Sequence, residues 1–542
     1  MNKSFTLRPF LRFNTRNIAA VFVCAFAAVL FAGDDPSGTL SFKALRQDGY
    51  EKGRLGNLRI EVKIDKTILV EDEKNPEPGS DARGYVLFVR NYLFDVAAYS
   101  RPTKEELAVR TLKIFAAPGE YEPLVFSVYP FKTLVNCRVT VSGFKNEAGA
   151  ELRSEVFEIN NVLCRPIGKE MVTVKGEILE PLKVLPALEA GISKTIWINA
   201  HPPETASPGI YKGKIIFSPE GAQASELAVE LEILPFKLLT PPPEVMNWAP
   251  IMAGSWDFDR QTEEFRCLKE HGFTGEITNS LAAEKGDFSK ADKYIELAKA
   301  AGLKGVFVYA NTHCQGAFSF ADCYGPNGHG KDMFNAASYE KVKKDVERVV
   351  RHAAEKAWPP ILFYLTTEMG STLIESPGED YKLAMQGAED YYAAIRKVEG
   401  AVTLATFNRQ EEFKLHAGLA TVDWTGFNGE MFPAWEELNK TKPSWMTFIG
   451  IDQRMGHGFY LWKFNFKGVR PWCLPPGIMY PREQGLIYYY NGKSHPSVRM
   501  ERIREGIDDY KYLYTLKEYI KRAPGSSEAA AAEESILAVM RK

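Results

Sequence analysis

The sequence predicts two folds in series, an antiparallel β-sandwich followed by a (β/α)8 barrel, which makes a multidomain β + α/β chain. Two changes of rhythm carry that prediction. Between residues 105 and 238, short apolar runs recur at regular spacing with Pro and Gly in the gaps, the pattern of sandwich strands. From Val245 onward, strand-length apolar runs alternate with helical patterns, eight times in about 280 residues, the rhythm of a barrel. A third observation separates the two: residues 235–243 (PFKLLTPPP) break both patterns and read as a stiff linker.

Taken in order, residues 1–33 read as an export signal. Lys3, Arg8, Arg12 and Arg16 precede an apolar run from Ile18 to Ala32, with no acidic residue before Asp34. That run is shorter than the ~20 residues of a membrane span. A cleaved signal peptide and a secreted or periplasmic protein without a membrane span are therefore expected. Residues 34–104 are a β-rich N-terminal extension, with strands at 58–70 and 85–89 around a polar loop. The sandwich, 105–238, has expected strands at 111–116, 124–129, 137–142, 155–164, 194–200, 209–218 and 228–234. The barrel, 239–523, has expected strands at 246–251, 275–278, 305–309, 361–365, 402–406, 424–427, 445–449 and 468–472. Its expected helices are 260–271, 290–301, 337–356, 381–398, 410–415, 434–440, around 455–466 and 497–520, although 458–466 alternates as strand eight itself would. Residues 524–542 form a tail helix.

The charges nearly balance, 67 basic against 69 acidic residues, so nothing points to nucleic acid. Six cysteines remain after the signal, scattered through a large chain, which is no disulfide framework. His313, Cys314, Cys323 and His329 match no common zinc spacing, and no metal or cofactor is expected. Gly325 to Gly330 lacks a P-loop ending, and no GxSxG elbow is present.

The helix expected at 497–520 carries an apolar stripe of Val498, Ile503, Ile507, Tyr510, Leu513 and Leu516. Ser497 is its expected N-cap. Gly506 inside it costs about 1 kcal/mol against alanine, which implies close approach of another backbone.

Barrel chemistry sits where strands end. That rule selects Trp248, Thr278, Asn279, Tyr309, Asn311, His313, Glu368, Asn408, Asn428, Glu430, Asp452 and Trp472. Glu368 leads, because an apolar run from Ile361 ends on it where strand four should stop. A carboxyl in an apolar mouth has a raised pKa and suits general acid catalysis; a loop carboxylate is the bland alternative. Trp248, Tyr309 and Trp472 suit the apolar faces of sugar rings, or core packing. Arg499, in the first turn of the last helix, suits substrate polar groups, or a salt bridge to Glu501 or an Asp.

Pro496 to Leu513 (PSVRMERIREGIDDYKYL) resembles the last barrel helix of glycoside hydrolase family 123 and its relative, domain of unknown function 4091. Arg454 to Gly458, Leu461-Trp462, Lys467-Gly468 and Trp472 resemble the segment before it, and this resemblance implies a helix over 458–466 with 468–472 as the last strand. Ala117 to Pro123, Thr195 to Trp197, Pro208 to Gly213 and Leu234-Pro235 resemble the family's sandwich. The resemblance implies hydrolysis of a glycosidic bond in an oligosaccharide or polysaccharide, with Glu368 as general acid/base. The family carries Asp-Glu at this place, the Asp stabilising a substrate acetamido group that acts as nucleophile. Here the pair reads Thr367-Glu368. Glu430 or Asp452 as a second carboxylate, another sugar, or a non-catalytic carbohydrate-binding barrel are the readings this departure leaves open.

Overall fold

The computed structural model describes residues 43–60, 81–168, 172–250, 256–278, 286–310, 336–364, 389–407, 423–428, 442–448, 453–471 and 484–541. The expected signal, 1–33, lies outside them. Among the described residues no helix is long and apolar enough to cross a membrane.

Two sheets follow from the alternating stretches. One runs in the order Thr173–Pro181, Phe157–Ile167, Lys194–Ala200, Glu122–Pro130, Tyr85–Phe88, all antiparallel. The other runs Leu185–Leu188, Leu134–Val141, Gly209–Glu220, Ser225–Ile233, Thr111–Ala116, the last pair parallel. Ser225–Ile233 shows the cause: every second side chain is buried, so one face is core and one is not. Phe126 and Ile196 of the first sheet share a core with Phe217 and Leu231 of the second. Tyr85–Phe88, expected in the N-terminal extension, is instead an edge strand of the first sheet. Thr173–Pro181 and Leu185–Leu188 had no expected counterpart.

Past the linker the strands become parallel. They are β1 (Asn247–Trp248), β2 (Glu276–Thr278), β3 (Phe307–Ala310), β4 (Ile361–Tyr364), β5 (Val402–Phe407), β6 (Trp424–Asn428), β7 (Ser444–Phe448) and β8 (Gly468–Val469). Each pairs with its sequence neighbour from β2 to β8, and β8 pairs with β1. Between β1 and β2, the amides of Thr274 and Gly275 donate to the Trp248 carbonyl at 3.0 and 3.2 Å. The helices between strands include α1 (Phe258–Glu270), α2 (Ser289–Ala300) and α3 (Ala336–Glu355), with helical residues at 389–396. Asp257 caps α1 by accepting the Arg260 amide. Residues 453–463 are helical and Gly468–Val469 is the last strand, as the resemblance implied. The turn Gly456–Tyr460 is a π-helix.

Helix α4 (Val498–Arg522), capped by Ser497 on the Met500 amide, lies between the two parts. Its expected stripe is buried, Leu516 only partly. Its other face is buried too, and carries Glu501, Arg504, Glu505, Asp508 and Asp509. A helix covered all round shows little one-sided hydrophobicity, so the stripe described only half its contacts. The charges are matched by the sandwich and by residues 453–463. Arg454 grips Asp509 through Nε and Nη2, both at 2.7 Å. Glu501 takes Arg504, His271 (3.3 Å) and Asn199 (3.3 Å). Tyr92 donates to Glu505 at 3.2 Å, and Tyr512 to Glu120 at 2.5 Å. The guanidinium of Arg504 sits 4.6 Å over the Tyr121 ring, which stacks on His201. The sandwich motif around Glu120 and Tyr121 thus acts as the joint to α4. α5 (Ser527–Arg541) forms where the tail helix was expected.

Candidate functional site

Strand alternation sorts the parallel sheet into two faces. Trp248, Phe307, Phe363, Ala405, Met446 and Val469 pack with the helices. Val306, Val308, Leu362, Tyr364, Leu404 and Trp445 make a separate apolar cluster on the other face. The glycine at 468 admits a close neighbour on that second face. A Cβ at Gly468 would stand 2.3 Å from the Trp445 ring, so the indole occupies the space the glycine leaves. At the N-terminal end, Asn247 accepts the Val306 amide at 2.8 Å and donates to the Pro243 carbonyl.

At the C-terminal end the apolar cluster gives way to polar groups. Tyr364 ends β4, Thr406 lies near the end of β5, and Arg470 follows β8. All three are buried, at 3%, 0% and 5% exposure. The Tyr364 hydroxyl lies 2.7 Å from Thr406 Oγ1. Arg470 Nη2 donates to the same hydroxyl at 3.3 Å, and its guanidinium carbon stands 4.5 Å from the Tyr364 ring centroid. Arg470 Nε is buried with no hydrogen-bond partner. In strand order β4 and β8 are four apart, so this contact spans the sheet rather than linking neighbours.

Of the sequence-selected residues, Trp248 is a correction. It is fully buried on the helix side, edge-on to Tyr510 at 5.3 Å, with Nε1 donating to the His457 carbonyl at 3.3 Å. An indole enclosed in this way presents no face to a sugar. Tyr309 lies in β3, in register with Phe363 of β4. Arg499 is buried and donates to the Gln484 carbonyl at 3.2 Å, while Glu501, one of the partners expected for it, is held by Arg504 and His271. Thr367, Glu368, Glu430, Asp452, Asn311, His313, Asn408 and Trp472 lie outside the described residues. Cys137, Cys164 and Cys267 are buried free thiols. Among the described residues no cluster has the makings of a metal site.

Reading the sequence missed Arg470, Tyr364 and Thr406. A signal existed for two of them: Arg470 lies two residues before Trp472, and Tyr364 four before Glu368, at matching parity along each strand. Glu276 marks the opposite case. It is a buried strand carboxyl, but it pairs in register with Phe307 and shares the helix side with Glu264 of α1. Burial, then the Glu264 charge, push its pKa well above the ordinary range.

No protein-family profile matches the chain, and no curated protein matches it significantly. Among solved structures, the chain shares its fold with a family 123 glycoside hydrolase from Clostridium perfringens, described as hydrolysing glycolipid glycans. The TM-score is 0.61 at 15% identity, over 84% of this chain and 98% of that one. A family 1 β-glucosidase from Thermotoga maritima matches at a TM-score of 0.34 and 9% identity, over 49% of this chain and 98% of its own. A family 5 cellulase linked with a Bacteroidetes polysaccharide utilization locus matches at 0.34 and 12%, over 49% and 92%. The last two scores are too low to carry an argument. The first shows a common fold across most of both chains.

Proposed function

We propose that the eight parallel strands close as a (β/α)8 barrel and that the chain is an exported glycoside hydrolase. Glu368 is its general acid/base. The observation that carries this reading is the run of β4. Leu362 and Tyr364 belong to the apolar and polar layers opposite the helices, and Tyr364 ends the described strand beside Thr406 and Arg470. Glu368, four residues on, has the same parity, which a continued alternation would give the same face. The fold shared with the family 123 enzyme supports the reaction class.

Thr367 offers a hydroxyl but no charge beside Glu368. The mechanism is therefore a two-carboxylate hydrolysis, with Glu430 or Asp452 supplying the nucleophile or base. Glu368 protonates the leaving oxygen; where the second carboxylate is the nucleophile, Glu368 then deprotonates the water that releases the sugar, and where the second carboxylate is the base, that carboxylate deprotonates the attacking water. Trp472, Asn408, Asn311 and His313 line the sugar.

The test is incubation of the mature protein with mixed animal and plant glycans, followed by mass spectrometry of released sugars. New reducing ends support hydrolysis. Glycan binding on an array without any release would turn the assignment to a carbohydrate-binding barrel.

A further inference from the structure

We propose that Arg470, braced on Tyr364, is an anion-recognising group in the glycan site, and that the sugar unit it reads carries a carboxylate or a sulfate. This rests on the barrel-mouth site proposed above. It goes further by naming the chemical class of the substrate.

The argument starts from the cost of the arrangement. A guanidinium at 5% exposure has lost most of its water. Such a cation is retained where a counter-charge or a set of acceptors compensates it. Among the described residues the hydrogen-bond partner is the Tyr364 hydroxyl, at a long 3.3 Å, and no salt bridge reaches the guanidinium. The Tyr364 ring, 4.5 Å away, supplies attraction to the cation but no charge. Nε remains a donor with no acceptor. An unsatisfied charged donor withdrawn from water is a standing cost, and binding of an oxyanion removes it.

The surroundings fix the donor rather than neutralise it. The Tyr364 oxygen accepts from Arg470, which leaves the tyrosine proton for Thr406 Oγ1 at 2.7 Å. The chain from Arg470 through Tyr364 to Thr406 sets the plane of the guanidinium before any ligand arrives. Apolar Val308, Leu362, Leu404 and Trp445 occupy the layers beneath, where no competing anion is offered. A planar guanidinium with a free Nε matches a carboxylate or sulfate through two parallel N–H donations. A neutral sugar hydroxyl would satisfy one donor and leave the charge uncompensated.

The experiment uses the full mature chain. Thermal shift and calorimetry would compare glucuronate, galacturonate and glucose 6-sulfate with glucose and galactose, and aryl glycosides of both kinds would be assayed for hydrolysis. The wild-type protein is expected to bind the acidic sugars at least about ten-fold more tightly than the neutral ones. Uronates and the sulfated sugar separate carboxylate from sulfate recognition. In Arg470→Met the acidic-to-neutral ratio should collapse by about ten- to a hundred-fold, and Arg470→Lys should restore part of it. The wild-type preference alone decides the matter if either variant does not fold. Equal binding of acidic and neutral sugars, or an unchanged ratio in a folded Arg470→Met, would overturn the inference. Glu368-dependent hydrolysis of neutral glycosides without acidic preference would remove only this inference. Selective acidic-sugar binding without hydrolysis would remove only the hydrolase reading.

Discussion

Gly458 and Gly506 meet back to back. A Cβ on Gly458 would stand 2.6 Å from the Gly506 carbonyl oxygen, and one on Gly506 would stand 2.4 Å from the Arg454 carbonyl oxygen. Both obstacles are backbone, so the π-helical turn at 456–460 and α4 must separate to admit either methyl. Gly506→Ala gains about 1 kcal/mol in helix propensity and loses about 1–3 kcal/mol to overpacking. Both single alanine variants should be less stable in guanidinium unfolding. A stability gain in either would show that the contact is loose.

Arg454 is the next test of that joint. It holds Asp509 through two bonds and lies 3.5 Å from Glu505, which is almost fully buried. Arg454→Met removes the cation that grips Asp509 and one of the two that lie near Glu505. Allowing for the partial exposure of Arg454, the expected loss is about 2–4 kcal/mol. The double variant Arg454→Met/Asp509→Leu should recover part of it, as a double-mutant cycle would reveal.

The same joint predicts a fall in stability as pH rises. Burial and the neighbouring Asp508 charge lift Glu120 from 4.5 to about 8. Burial lifts Glu505 to about 8 against the pull of Arg504 and Arg454. Each leaves one oxygen, Oε1, without a hydrogen-bond partner, which a neutral carboxyl tolerates better than a carboxylate. The folded state therefore keeps protons that the unfolded chain releases above pH 4.5, and stability falls from there to about pH 8. His271, raised to about 10 by Cys267 and Glu501 despite burial, adds stability below pH 6.5 that fades through pH 10. The melting temperature should drop between pH 5.5 and 9, and Glu120→Gln should flatten the drop. A rising curve would contradict the account.

Glu276 gives a prediction of opposite sign. Both its oxygens are buried without partners, and it faces Glu264. Glu276→Gln or Glu276→Met should be neutral or stabilising by up to about 1–3 kcal/mol at pH 8, because no buried carboxyl then has to stay protonated. Chemical denaturation at pH 6 and pH 8 checks this, and the gain should be larger at pH 8.

What the sequence showed depended on whether a residue's partners were local. Lys194–Ala200 is apolar, bounded by turns, and formed with the expected limits. Thr173–Pro181 was missed because Lys175, Glu177 and Glu180 break its pattern. Glu177 is buried there by Tyr488 and Gln484, more than 300 residues away. The hairpin Ile487–Tyr490 with Lys493–Pro496 was not among the expected strands, although its turn is legible locally. Asn491 and Gly492 both have positive φ, the demand of a tight hairpin turn that Asn-Gly meets. Gly506 was legible for a similar reason, since a mid-helix glycine has few other uses. Arg470 shares its parity with Trp472, but its contact with Tyr364, which the fold brings to it from four strands away, left no mark in the sequence. Trp248 misled for the converse reason: strand-end position does not say which face an indole takes.

The central claim is that Glu368 is the acid/base of a glycan-cleaving barrel. The most direct measurement is release of 4-nitrophenol from a panel of aryl glycosides, N-acetyl-β-galactosaminide included, by the mature protein and by Glu368→Gln. The account predicts turnover of at least one sugar without an acetamido group, reduced by about 10²–10⁴-fold in the variant. Turnover that survives Glu368→Gln undiminished, or silence across the panel, would contradict it.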